Sequence, residues 1–282
     1  MNERELLREF ARDVQSAADG RRRVLYLEGK TDVPILLALL GARDERDVSN
    51  GVLHDGVLVR GLGSRCSGSS AVAQRLGVAQ RHRYAGIFGV IDGDGEAREI
   101  LAPEFDGPHA GPGFRWKTYC IENLLVRACW PSAWGPAPDW RKVMTTFAPY
   151  VALNRLGLEL RQRLNRLGLD RFQRPGLAEE LLTAEQVPSR RREGKREISN
   201  LDVEAMFSAE LEHFQAALAT SVDEAHALLN GKWLVEIYAS RCTKLPPDAC
   251  REVWARHLRE IGGDSEIKAW WQRTIAPPVG GA

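Results

Sequence analysis

The sequence predicts an α/β protein: a mostly parallel sheet flanked by helices, with an α-helical insertion and a C-terminal helical segment. Three observations carry this. Ile87 to Ile91 is an apolar run that passes straight into Asp92-Gly93-Asp94. Such continuous apolar runs are the mark of strands buried on both faces of a parallel sheet. Val24 to Leu27 is a second short strand, closed by Glu28-Gly29 and followed at once by a helical pattern, the alternation expected of βαβ units. From Arg141 to Leu229 the pattern turns helical, with two basic clusters before Leu201 and apolar and acidic residues alternating after it, which marks a different kind of segment.

Taken in order, residues 3–18 place Leu6, Leu7, Phe10 and Val14 at helical spacing, and Asp19-Gly20 ends that helix. After the strand Val24–Leu27 comes Glu28-Gly29-Lys30-Thr31-Asp32. Thr31 or Asp32 can cap the next helix, Val33 to Leu40, whose Pro34 sits in the tolerated first turn. Glu28 thus closes a strand, and Asp32 lies near the positive end of the following helix, so the two can face one point. Asp32 serving only as a cap, and Glu28 only as a partner of Lys30 or an arginine, is the plain alternative.

Val57–Val59 is the next expected strand, followed by Gly61-Leu62-Gly63-Ser64 and a Ser/Gly-rich loop to Ser70. That loop reads either as a flexible turn or as a cradle of backbone N–H groups for phosphate. A helix is expected over Ala71–Gln80, then the strand Ile87–Ile91. Asp92 and Asp94 beyond it read alone as a turn, or as site carboxylates, since α/β folds hold their chemistry beyond the carboxyl ends of their strands. Residues 102–113, rich in Pro and Gly, are expected to form a loop, and Phe114–Tyr119 a strand. Cys120–Val126 then sets Glu122 where a helix begins, a position that the helix dipole alone would favour.

Pro and Trp between Trp130 and Trp140 suggest a boundary, which divides the chain into 1–130, an insertion at 131–230 and a closing segment at 231–282. Eight basic residues fall between Trp140 and Pro175, among them Arg161 and Arg163, against Glu159 and Asp170. A second cluster, Arg190, Arg191, Arg192 and Lys195 with Arg196, reads as a loop. Both fit a solvated face as well as phosphate-backbone contacts, which arginine serves well. LNRLGL occurs at 153–158 and 164–169, too short a duplication for a repeat architecture. Lys232 after Gly231 is either a surface lysine or a charge for an anionic transition state. Residues 251–271 read as one aromatic helix that packs on the core or on another subunit.

Composition narrows the class. The 282 residues carry a net charge of +1 and 44% apolar content, enough for a core and no argument for any partner. The charged N-terminal pattern lacks the apolar stretch of a signal peptide, and no apolar run nears the roughly 18 residues of a membrane span. Five scattered cysteines form no CxxC pair, and the six histidines form no zinc-ligand pair. A cytoplasmic protein with no membrane partner is the expectation.

The acidic signals fall in one order: YLEGKTDVPIL, FGVIDGDGE, then YCIENLLV. The first two, in order and spacing, resemble the TOPRIM domain shared by topoisomerases, primases and OLD-type nucleases, whose first strand ends in Glu-Gly with an acid a turn later and whose later strand ends in Asp-x-Asp. The resemblance covers about the first 130 residues. Ile121-Glu122-Asn123-x-Leu125 and the late Gly231-Lys232 are similar to elements of a narrower TOPRIM group that includes the nuclease subunit of PARIS phage-defence systems. The resemblance implies a Rossmann-like TOPRIM fold and a nuclease using two Mg²⁺ or Mn²⁺ ions. Glu28, Asp92 and Asp94 would hold the first metal, and Asp32 and Glu122 the second. Glu28 would be the general base, and Lys232 would offset transition-state charge. It further implies tRNA or DNA as substrate, a homodimer when active, and a separate ATPase sensor that restrains the nuclease, since the chain lacks the GxxxxGK[ST] phosphate loop.

Two alternatives remain at this stage. Asp92-Gly93-Asp94-Gly95 also resembles the nucleophile loop of haloacid-dehalogenase-like phosphatases, although that loop normally stands near the start of its domain and carries a Thr where Glu96 stands here. A catalytically silent nucleic-acid-binding TOPRIM subunit is the other.

Overall fold

Four strand segments of the first half of the chain line up side by side, and two short strands close the edges. In the computed structural model the described residues are 3–16, 23–43, 51–63, 68–84, 86–93, 101–103, 113–116, 118–126, 139–166, 202–232, 235–236, 239 and 245–276. The chain divides into two compact units, one of residues 1–137 with 230–282, the other of residues 138–229.

The first unit is built on a six-stranded sheet. Its strands are β1 (Arg23–Leu27), β2 (Val52–His54), β3 (Val57–Gly61), β4 (Ile87–Ile91), β5 (Leu101–Pro103) and β6 (Gly113–Trp116). They run in the order β2-β3-β1-β4-β6-β5. The central pairs β3/β1, β1/β4 and β4/β6 are parallel, and the edge pairs β2/β3 and β5/β6 are antiparallel. Every residue of β4 is buried, as its unbroken apolar sequence requires of a central parallel strand. Helices α1 (Glu3–Ser16), α2 (Asp32–Leu39) and α3 (Ser69–Arg81) flank the sheet.

The expectation of a mixed α/β fold with a central sheet flanked by helices and a helical C-terminal region holds, with local corrections. β2 has no counterpart in the sequence reading. Ala102 and Pro103, read as the start of a loop, pair with β6 together with Leu101 as strand β5. The strand read over Phe114–Tyr119 ends at Trp116, and residues 118–120 bend into a helical stretch at 121–126. The single helix read over 251–271 is two, α7 (Pro247–Glu260) and α8 (Ser265–Trp270), followed by a π turn at Trp271–Ile275. Gly262 and Gly263 part them with φ of 84° and 82°, a region that residues with a Cβ rarely adopt.

Polar ties reinforce the packing. Tyr26 on β1 donates to Asp13 Oδ2 on α1 at 2.7 Å, and Arg60 of β3 pairs with the same carboxylate. Arg75 of α3 reaches Glu9 at 2.8 Å and lies over the Tyr26 ring. The Asp13 carboxyl is wholly buried, and burial pushes it up even though Tyr26 and Arg60 pull it down. At the other end of the chain α7 packs on α2. Trp270 meets Phe114 edge-on at 5.5 Å, and Trp271 donates its indole N–H to Asp55 at 3.1 Å.

The second unit holds α4 (Trp140–Arg166), α5 (Val203–Thr220) and α6 (Val222–Leu228). Leu156 and Leu160 of α4 pack with Val203, Met206 and Phe207 of α5, and Arg155 pairs with Glu210 across them. Asp202 caps α5 by accepting from Ala205 N, and Ser221 caps α6 by accepting from Glu224 N. No described helix is long and apolar enough to cross a membrane.

Candidate functional site

Parallel pairing of β1 with β4 aligns Leu27 with Val90, so both strands end at the same edge of the sheet. Glu28 stands directly beyond β1 and Asp92 directly beyond β4. The Asp92 N–H donates to Glu28 Oε1 at 2.9 Å, which ties the two strand ends together and fixes one oxygen of the Glu28 carboxylate.

Asp32 is the first residue of α2 and is 6% exposed. Its Oδ2 accepts the Gly29 N–H at 2.9 Å, and Thr31 Oγ1 lies 3.3 Å from Oδ1. Thr31 is the residue before the helix but makes no side-chain cap bond. Asp32 therefore folds back over the Glu28-Gly29 turn instead of capping from outside, which brings its charge toward the strand ends.

Gly93 marks how tightly the chain turns after β4. A Cβ at that position would lie 2.1 Å from Thr118 O and 2.5 Å from Trp116 O, so the exit of β4 runs against the exit of β6 with room for hydrogen alone. Beyond β6, Thr118 Oγ1 donates to Cys120 O at 3.0 Å, and the Cys120 N–H donates to Asn123 Oδ1 at 3.1 Å. The same Asn123 oxygen accepts the Gly231 N–H at 3.1 Å. A Cβ on Gly231 would lie 2.6 Å from Asn123 N and Oδ1. This clip delivers the next residue, Lys232, whose Nζ lies 3.4 Å from Asp92 Oδ2. Glu122 sits inside the turn with its side chain 2% exposed, and its Oε2 has no hydrogen-bond partner. Arg251 of α7 approaches the other oxygen, Nε standing 3.8 Å from Oε1.

The charges respond to one another. Burial raises the Asp32 carboxyl to about 6; Glu122 pushes the same way, while Gly29 N–H and Lys232 oppose. Burial pushes Asp92 well above the usual carboxylate range, Lys232 draws it back, and Asp32, Glu28 and Glu122 add to the rise. Burial would lower the Lys232 ammonium, but the carboxylates of Asp92, Glu122 and Asp32 outweigh it and raise the group above its ordinary value. Burial likewise pushes up the Cys120 thiol. Four acidic side chains thus influence one another here, with the Lys232 ammonium beside Asp92 and the Arg251 guanidinium beside Glu122.

The structure thus ties Asp92 to Glu28 and to Lys232, and sets Asp32 and Glu122 near enough to act on the same charges. Asp94 lies outside the described residues, as do Arg190, Arg191, Arg192 and Lys195 and the loop positions 64–67. The ends of that loop are held at the site, Leu62 N donating to Leu27 O at 3.1 Å and Gly68 N to Glu28 O at 3.3 Å. Arg161 and Arg163 fall on α4 in the second unit. Asn123 and Arg251 carry parts that the sequence reading did not assign. Asn123 had a visible signal, standing directly after Glu122; Arg251 had none. Among the described residues no group of three or more His, Cys, Asp or Glu side chains is disposed to hold a metal ion. No family model, curated protein or solved structure matches the chain.

Proposed function

We propose that the chain is a divalent-metal-dependent nuclease of the TOPRIM kind, hydrolysing phosphodiester bonds in tRNA or DNA. The observation that carries the reading is the tie of Asp92 to Glu28 and to Lys232 beyond the ends of β1 and β4, with Asp32 and Glu122 near enough to raise the Asp92 carboxyl. The buried Glu122 Oε2, which lacks a hydrogen-bond partner, fits a cation, because a buried polar atom left without a partner is costly.

Glu28, Asp92 and Asp94 would hold one Mg²⁺ or Mn²⁺, and Asp32 and Glu122 a second. Magnesium sites take one or two carboxylates and leave room for waters and substrate phosphate. Metals bound there would supply activation of the attacking water and stabilisation of the leaving oxygen. Glu28, oriented by the Asp92 N–H, accepts the proton of the attacking water. Lys232 stays protonated beside Asp92 and offsets negative charge as it grows on the phosphate. The likeness to the PARIS nuclease subunit extends the proposal to a toxic effector of anti-phage defence, dimeric when active and restrained by a separate ATPase sensor.

The test is a substrate panel. Purified protein is incubated in Mn²⁺ or Mg²⁺ with labelled tRNA, labelled DNA and a phosphate monoester, alone and with the product of the neighbouring gene. Cleavage of either nucleic acid supports the reading. Turnover of the monoester alone would replace it with a phosphatase, and silence in every arm would sink it.

A further inference from the structure

Glu122 is buried with one carboxylate oxygen lacking a hydrogen-bond partner, and helix α7 supplies a cation to the other. Arg251 is 20% exposed at its side chain, and its Nε stands 3.8 Å from Glu122 Oε1. That separation is an ion-pair distance, longer than a hydrogen bond. The Nε is itself buried without a hydrogen-bond partner, as is Glu122 Oε2. Nη1 of the same guanidinium pairs with Asp248, one turn earlier on α7, at 2.6 Å, an ion pair on the exposed side of the helix. Helix α7 in turn packs on α2, the helix that opens with Asp32.

We propose that Arg251 is a positioning residue for Glu122: its largely buried guanidinium pairs with Oε1 from the side of α7 and leaves Oε2 for a divalent cation. The inference rests on the metal reading of the site and adds a residue that orients one of its ligands. Arginine suits the task because its planar fork engages Asp248 with one nitrogen while another faces Glu122, which the single ammonium of a lysine cannot reproduce. Partners that orient metal ligands commonly govern affinity by about 10- to 100-fold without touching the ion.

The test is Mn²⁺ binding to the full chain by isothermal titration, with thermal melts in EDTA run beside it. Arg251→Ala is expected to weaken Mn²⁺ binding by about 10-fold or more, and Arg251→Lys to fall between it and wild type. Variants that melt earlier but bind Mn²⁺ as wild type would show a structural role only and overturn the inference. Should Arg251→Ala fail to fold, Arg251→Lys decides: weaker binding supports the inference, and wild-type affinity overturns it. A wild-type protein that binds no Mn²⁺ overturns the metal reading and the inference with it, a result distinct from unaltered binding in the variants.

Discussion

The side-chain oxygen of Asn123 accepts the backbone N–H of Gly231 at 3.1 Å, a bond that spans 108 residues of chain. It joins the turn that carries Glu122 to the residue before Lys232, whose own N–H donates to Asn230 Oδ1 at 3.0 Å, so two amide side chains place the lysine that reaches Asp92.

Asn123→Ala removes the acceptor for two backbone N–H groups, those of Cys120 and Gly231. Leaving a buried donor unsatisfied costs about 1–3 kcal/mol each. Urea denaturation should show a loss of that order, and kcat should fall more than KM rises because Lys232 loses its place. A variant as stable and as active as wild type would remove the clip from the account.

The Asp32 carboxyl gives a pH dependence with a definite sign. Its ordinary value of 3.8 is raised to about 6 in the fold, so the folded protein holds the proton more tightly than the unfolded chain. The stability this confers is fully present below the unfolded value and is lost as pH rises through about 6. In EDTA, wild type should therefore lose stability relative to Asp32→Asn across that window, and Mg²⁺ should reverse the loss at neutral pH. Chemical denaturation of both proteins at a series of pH values reads this directly. A difference that grows in wild type's favour as pH rises would contradict it.

Local pattern made some elements legible in the sequence and left others hidden. Ile87–Ile91 was legible because a central parallel strand is apolar at every position, and its observed bounds are the expected ones. The strand Val24–Leu27 was legible for the same reason, short by Arg23 alone. β2 and β5 were not legible, because a three-residue edge strand is defined by its partner and not by its own pattern. The helix read through Gly262-Gly263 failed because aromatic periodicity continued across a pair of glycines that turn the backbone. At the site, Glu28, Asp32, Asp92 and Glu122 were legible as carboxylates at strand and helix junctions. The roles of Asn123 and Arg251 depend on residues 108 positions away in one case and on a packed helix in the other, and no local spacing encodes either.

Gly93 should tolerate no side chain. Gly93→Ala places a Cβ 2.1 Å from Thr118 O, a backbone atom that cannot swing aside. Overpacking of this kind costs about 1–3 kcal/mol, and more where backbone must move. A melt of Gly93→Ala should fall well below wild type in EDTA, and Mn²⁺ binding should weaken with it because Asp92 shifts. An unchanged melt would mean that the ends of β4 and β6 do not meet as described.

The most direct test of the central claim is the single-turnover rate of nucleic-acid cleavage in Mn²⁺ by wild type, Glu28→Ala and Asp92→Ala, using whichever of tRNA or DNA the wild type cuts. Loss of a general base alone removes about 10²- to 10⁴-fold, so each variant should be slowed by at least about 100-fold, and EDTA should stop the wild type. Cleavage at the wild-type rate by both variants would contradict the assignment of the site.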